Sequence, residues 1–191
     1  MRQSDWTMSL ALTETDGQAL IEAARSAIAS RLSQKGGCSP APVTPALMVP
    51  CGAFVTLKSE GCLRGCIGRI SSTQSLLQTV KEVAVSSAFE DPRFPPVTRS
   101  EWPSIHVEVS VLSPLKRVSD PQRVCVGTHG VLIRSGYSSG LLLPQVATEQ
   151  GWDRDTFLSH ACRKAGLPPD AWKNPDTQIE VFSAMVFEQE E

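Results

Sequence analysis

The strictest constraint in this chain is the run from Ile105 to Leu112, where apolar and polar residues alternate up to Val111. A strand has a side-chain period of two, so Ile105, Val107, Val109 and Val111 share one face, and His106, Glu108, Ser110 and Leu112 share the other. Such a strand needs a layer over its apolar side. Two helical patterns supply candidates. From Asp16 to Leu32, Leu20, Ile21, Ala24, Ala27, Ile28 and Leu32 recur at three- and four-residue spacing after Thr15 or Asp16 as N-cap. From Ser75 to Phe89, Leu76, Leu77, Val80, Val83, Ala84, Ser87 and Ala88 form one stripe, which the run DPRFPP ends.

Further strands are predicted at Gly52–Lys58 and Cys62–Ile70, joined by a turn at Glu60-Gly61. Val131–Arg134 and Leu141–Leu143 flank SGYSSG as a hairpin, and Ile179–Phe187 closes the chain as one strand. Trp152–Ala165 reads as a helix stopped by Gly166. Residues 36–50 hold Gly36, Gly37, Pro40, Pro42, Pro45 and Pro50, too many breakers for anything but a loop or linker. Strand pairs and isolated helices without a βαβ rhythm predict an α+β fold with a largely antiparallel or mixed sheet flanked by helices. At 191 residues the chain fits a single domain, 1–191, with room for two lobes.

Composition excludes several function classes. A formal net charge of −2 gives no global field for nucleic acid or anionic lipid, and no basic stripe with interleaved aromatics is present. No stretch approaches the ~20 apolar residues of a membrane span, and the N-terminus lacks the pattern of an export signal. Six scattered cysteines in a chain of this size read as reduced thiols, which places the protein in the cytoplasm. Phosphate loops, G-X-S-X-G elbows and dinucleotide fingerprints are absent.

Chemistry concentrates at Leu63–Gly68. If this segment is extended, Leu63, Gly65 and Ile67 point to the core, and Cys62, Arg64 and Cys66 to the opposite face. A guanidinium beside a thiol favours the thiolate, which makes Cys66 a candidate nucleophile with Arg64 as its activating cation. Gly65 and Gly68 leave room for close approach of backbone or ligand. The competing reading is a buried thiol filling space between strands. His129 fits either a base for Cys66 or a turn histidine bonded to local backbone. His106 and Glu108 fit an acid/base pair or a solvated sheet face. Asp91 and Arg93 fit a charged loop lining a cleft or an internal ion pair. Cys62-X3-Cys66 lacks the third cysteine of a radical-SAM cluster because Arg69 stands in its place, and no C-X2-C pair is present, so no metal site is expected.

LRGCIG at Leu63–Gly68 resembles the signature hexapeptide of the AMMECR family, whose prokaryotic members are also called AmmeMemoRadiSam system protein A. The resemblance extends through GAFVTL (52–57), AFEDPRFPP (88–96), VSVLSP (109–114), HG (129–130), LLPQVATEQGWD (142–153) and CRKAGLPPDAW (162–172), and is loose over the first fifty residues. It implies an α+β fold with a larger and a smaller lobe and a cleft between them. It carries no established activity or cofactor. It implies Memo-like and radical-SAM proteins as partners, because prokaryotic genes of the family accompany theirs. Residue by residue it points to Arg64, Gly65, Cys66 and Gly68, to Asp91, Arg93 and Phe94, and to His129. Gln145, within LLPQVATEQGWD, joins the ligand- or partner-binding set. Two functions follow as expectations. One is a cysteine-centred enzyme or accessory subunit using Cys66, Arg64 and His129. The other is a non-catalytic protein- or small-ligand-binding module using Leu63–Gly68 with Gly65, Gly68, Asp91, Arg93, Phe94 and Gln145.

Overall fold

The computed structural model describes residues 12–33 and 44–189. Its α+β architecture divides into two compact units, Met1–Ser113 with Met185–Glu191, and Pro114–Ala184. Each unit contains its own four-stranded antiparallel sheet, where the sequence reading expects one.

In the first unit, helix α1 (Glu14–Ser33) opens on a reciprocal capping box. The Thr13 amide donates to Asp16 Oδ2 at 2.9 Å, and the Asp16 amide donates to Thr13 Oγ1 at 3.2 Å. The cap therefore lies two residues before the expected Thr15. The hydroxyl of Thr44 donates to Asp16 Oδ1 at 2.6 Å; with the bonds from Thr13 it holds the buried Asp16 carboxyl below its ordinary range. Part of the expected 36–50 loop is ordered: Pro45–Met48 forms a 3-10 turn and Pro50 bridges to Ser75, while residues 34–43 lie outside the described residues.

Strands β1 (Ala53–Ser59) and β2 (Cys62–Arg69) form the expected hairpin. Its turn residues Glu60 and Gly61 both take positive φ, 51° and 76°, the geometry that matches strand twist in a two-residue turn. Helix α2 (Leu76–Phe89) starts where the Ser75 side chain accepts the Gln78 amide. Strand β3 (Ile105–Leu112) has the predicted bounds. The sheet order is β2, β1, β3 and the C-terminal strand β8 (Ala184–Glu188). One face carries the core: Val55, Leu57, Val107 and Val109 meet Leu20, Ile28, Val80 and Ala84 of the two helices. Burying such side chains contributes roughly 1.5–3 kcal/mol each.

The second unit has sheet order β4 (Lys116–Val118), β7 (Gln178–Phe182), β5 (Gly130–Ser135) and β6 (Ser138–Leu142). The β5–β6 turn is only Gly136-Tyr137, shorter than SGYSSG suggests. Helix α3 (Pro144–Glu149) precedes α4 (Arg154–Lys164), which is capped by Asp153 rather than starting at Trp152. At its end Gly166, at φ 73°, donates to Arg163 O, and Leu167 to Cys162 O, the paired closure expected of a glycine stop.

The predicted final strand 179–187 is two strands. Ser183 separates β7, in the second sheet, from β8, in the first, so the chain changes sheets at that residue.

Candidate functional site

The segment Leu63–Gly68 occupies β2, an edge of the first sheet, and one irregularity decides which side chains it shows. In register with β1, Cys66 faces Thr56 and Gly65 faces Leu57, but Lys58 faces Leu63, leaving Arg64 as an extra residue. A bulge of this kind breaks the period-two assignment. Leu63 thereby moves beside Lys58 on the face away from the helices and is 45% exposed, which overturns its expected role as a core anchor beside Ile67. Arg64 no longer stands in simple alternation with Cys66. Its Nη2 donates to Glu101 Oε1 at 2.7 Å and to Pro95 O at 2.9 Å, and its guanidinium lies 5.9 Å from the Phe94 ring centre.

The end of α2 and the loop after it fix the Cys66 backbone. The Cys66 amide donates to Asp91 Oδ2 at 2.9 Å. Arg93 grips the same carboxylate, Nε to Oδ1 at 2.9 Å and Nη2 to Oδ2 at 2.7 Å, and Nη2 also reaches Cys66 O at 3.2 Å. The Arg93 amide adds a bond to Oδ1 at 3.1 Å. Asp91 is buried, and the Arg93 guanidinium is the main reason its carboxyl sits far below the usual carboxylate range; the Cys66 and Arg93 amides act the same way against desolvation. Arg93 in turn is held charged chiefly by Asp91. Arg93, not Arg64, is thus the guanidinium bonded to the Cys66 backbone.

One residue along, the Ser87 hydroxyl accepts the Ile67 amide at 2.8 Å and lies 2.8 Å from Val55 O and Val83 O, so it stitches α2 to both strands. Gly65 is required beneath it, because a Cβ there would overlap the Ser87 carbonyl. A Cβ at Gly68 would overlap the Phe54 ring.

Away from the helices, the strand registers align Cys66, Thr56 and Glu108 in one row across β2, β1 and β3. Directly opposed residues on one face have Cβ atoms about 4.5–5.5 Å apart. The Thr56 hydroxyl donates to Cys66 Sγ at 3.4 Å. Beside this row, Lys58 lies opposite Leu63 and His106, and its Nζ meets Glu108 Oε2 at 2.7 Å. The hydrogen bond to Glu108 raises the Lys58 pKa. Ser110, two residues beyond Glu108, is buried and its hydroxyl has no hydrogen-bond partner among the described residues.

The cysteines differ sharply in setting. Burial pushes the Cys51 thiol up to about 11 and also raises Cys162, so both behave as packing residues. Cys66 is half-buried, and Cys62 and Cys125 are exposed.

The remaining sequence candidates lie in the second unit. His129 is buried, its Nδ1 accepts the Cys125 amide at 3.2 Å, and burial lowers its pKa against a bond with the Arg123 backbone. Gln145 is in α3, where its carbonyl accepts the Thr148 hydroxyl at 2.8 Å. Among the described residues no group of three or more metal-ligating side chains converges, and no helix is long and apolar enough to cross a membrane.

Sequence reasoning missed Thr56, Lys58, Ser87 and Glu101 as members of this neighbourhood. Two signals were available. Alternation through AFVTLK puts Phe54, Thr56 and Lys58 on one face, and Ser87 is a hydroxyl inside an apolar helical stripe.

An α+β protein with two antiparallel sheets and a clamped edge-strand cysteine is the class these features define. The AMMECR1 family model matches residues 21–187, and the chain belongs to that family. It is 47% identical over 189 residues to Protein MK0488 of Methanopyrus kandleri, covering 94% of this chain and 91% of that one. Protein NEQ441 of Nanoarchaeum equitans is 40% identical over 178 residues, covering 90% and 99%. The crystal structure of uncharacterized protein PH0010 from Pyrococcus horikoshii superimposes with a TM-score of 0.84 at 41% identity over 91% of each chain. The names of these relatives state no activity.

Proposed function

We propose that the chain is a cysteine-centred enzyme or accessory subunit in which Cys66 is a nucleophilic or acceptor thiol on the open face of the first sheet. The observation that carries this reading is the division of labour at Cys66. Its backbone is pinned by Asp91 and Arg93, while its sulfur takes the Thr56 hydroxyl on the open face of the sheet. A thiol held in place by its backbone, with its sulfur on an open face, is positioned to attack an electrophile. In the step proposed, the thiol proton passes to solvent, the sulfur bonds to an electrophilic centre, and that centre's leaving group departs with its electron pair. Arg93 holds the Cys66 backbone, and Arg64 is paired with Glu101. His129, bonded within its own turn, is not required.

Memo-like and radical-SAM proteins are the proposed partners and the cytoplasm the proposed setting. Family resemblance supports the partners, and five free cysteines among the described residues support a reducing compartment. A second reading, docking without catalysis, draws support from Leu63, whose exposed side chain shares the Cys66 face.

Site-resolved alkylation with iodoacetamide tests the first reading. Cys66 should react faster than the exposed Cys125 below pH 7, and Arg93→Gln should remove the advantage. A Cys66 slower than Cys125 at every pH refutes it and leaves the docking reading.

A further inference from the structure

Beside the Cys66 row, the first unit opens into a depression of about 290 Å³ whose polar lining is Lys58, His106, Glu108, Glu188 and Gln189. That volume is at the lower end of ligand sites, which span roughly 300–1,000 Å³, so it suits a group about the size of one amino-acid side chain. Its charges are unequally engaged. Lys58 Nζ is 2.7 Å from Glu108 Oε2 but 3.5 Å from Glu188 Oε1, and the two carboxylate side chains are 12% and 70% exposed. Gln189 Oε1 takes a bond from Arg25 Nη1 at 2.7 Å, and the Arg25 guanidinium lies 4.6 Å from the Trp102 ring centre. Glu108 therefore matches the Lys58 charge, and Glu188 remains an accessible carboxylate at the rim with the exposed His106.

We infer that this depression is a subsite for one cationic group, an ammonium or guanidinium, of the molecule that meets Cys66; the link to Cys66 rests on the reading above. The Lys58–Glu108 pair forms a fixed wall, and Glu188 is the specificity-determining residue. Register sets the reach. Cys66 and Glu108 both lie opposite Thr56, so two strand spacings, about 10 Å between Cα atoms, separate the subsite from the sulfur's strand. The ligand carries its cation within on the order of 10 Å of the atom that approaches Cys66. A small basic metabolite meets that requirement.

Two thiosulfonates test the link. Methyl methanethiosulfonate is neutral and its 2-(trimethylammonium)ethyl analogue is cationic; with each, the thiolate bonds to the sulfenyl sulfur and methanesulfinate leaves. Rates are resolved by peptide mass spectrometry, with Cys125 of the second unit as internal reference. Comparing wild type with Glu188→Gln cancels the opposing repulsion from Arg93. The probe's ammonium stops short of the subsite, so the cationic-to-neutral ratio at Cys66 should fall about twofold in Glu188→Gln at low salt, the Coulomb attraction of unit charges about 8 Å apart in water. The ratio at Cys125 should not move. An unchanged Cys66 ratio overturns the link.

Nuclear magnetic resonance titration with 1,4-diaminobutane reads the subsite without using the thiol. The Lys58, His106 and Glu108 amides should shift and saturate in the wild type and not in Glu188→Gln. Absence of a saturating, Glu188-dependent shift overturns the subsite even if Cys66 is reactive. A saturating shift with an inert Cys66 keeps the subsite and removes the thiol reading.

Discussion

Asp91→Asn probes the clamp on Cys66 with little change of shape. In the wild type the carboxylate accepts the Cys66 and Arg93 amides and two guanidinium bonds. An amide group has one acceptor oxygen, so its NH2 must face at least one of those donors. A buried main-chain N–H left unsatisfied costs about 1–3 kcal/mol. The ion pair adds about 1 kcal/mol and no more, because the Arg93 side chain is 54% exposed and regains water when released. The expected loss is about 2–4 kcal/mol, concentrated on β2, which at about 1.4 kcal/mol per decade weakens protection of the Cys66 amide by roughly 30- to 700-fold. Hydrogen exchange of residues 62–69 at pH 7 measures it. The pH dependence has a definite sign. The folded Asp91 carboxyl lies below its unfolded value of about 4, so its contribution is fully present above that value and is lost as pH falls through the folded one. Wild type and variant should therefore differ by the same amount at pH 7 and pH 5 and converge in more acidic solution. Protection at Cys66 within threefold of wild type at pH 7 would refute the clamp.

Gly65→Ala places a methyl against the Ser87 carbonyl and must push α2 from β2. Overpacking costs about 1–3 kcal/mol, against a gain of about 0.4–1 kcal/mol from a stiffer unfolded chain. Because the obstacle is backbone rather than a flexible side chain, the upper part of that cost applies; a net loss of about 1–2.5 kcal/mol should appear in urea denaturation followed at Trp102 of the first unit, and an unchanged midpoint would contradict the packing. Cys51 and Cys162 should resist alkylation at pH 7.5 until the chain unfolds, because burial raises both thiols. Their labelling on the same timescale as Cys62 in native protein would contradict that.

The parts legible in the sequence were those governed by local period. Strand β3 has its predicted ends because seven alternating residues leave one register for an apolar face, and α2 ends where DPRFPP forbids another turn. Longer-range pairing hid the rest. Nothing within Ile179–Phe187 says that its halves join different sheets; that follows from which strands lie next to each half. Strand β4 has three residues and α3 six, too few for a period to register. At the candidate site the same rule holds. Cys66 and the Asp91–Arg93 loop were visible as motifs, but the bulge at Arg64 depends on what β1 places opposite it, so the sequence could not tell which guanidinium reaches the Cys66 backbone.

That distinction bears on what the hexapeptide is for. Gly65 answers to the Ser87 carbonyl, Gly68 to the Phe54 ring, the Ile67 amide to the Ser87 hydroxyl and the Cys66 amide to Asp91. Each demand falls on backbone or on the absence of a side chain. None of these contacts requires sulfur at position 66: its side chain is half-buried, and the hydrogen bond it receives from Thr56 would be received equally by a serine oxygen. The fold therefore accounts for the glycines and for where residue 66 is held, and leaves the thiol unexplained by packing. In the proposed function the sulfur is the acting part, held two strand spacings from Glu108.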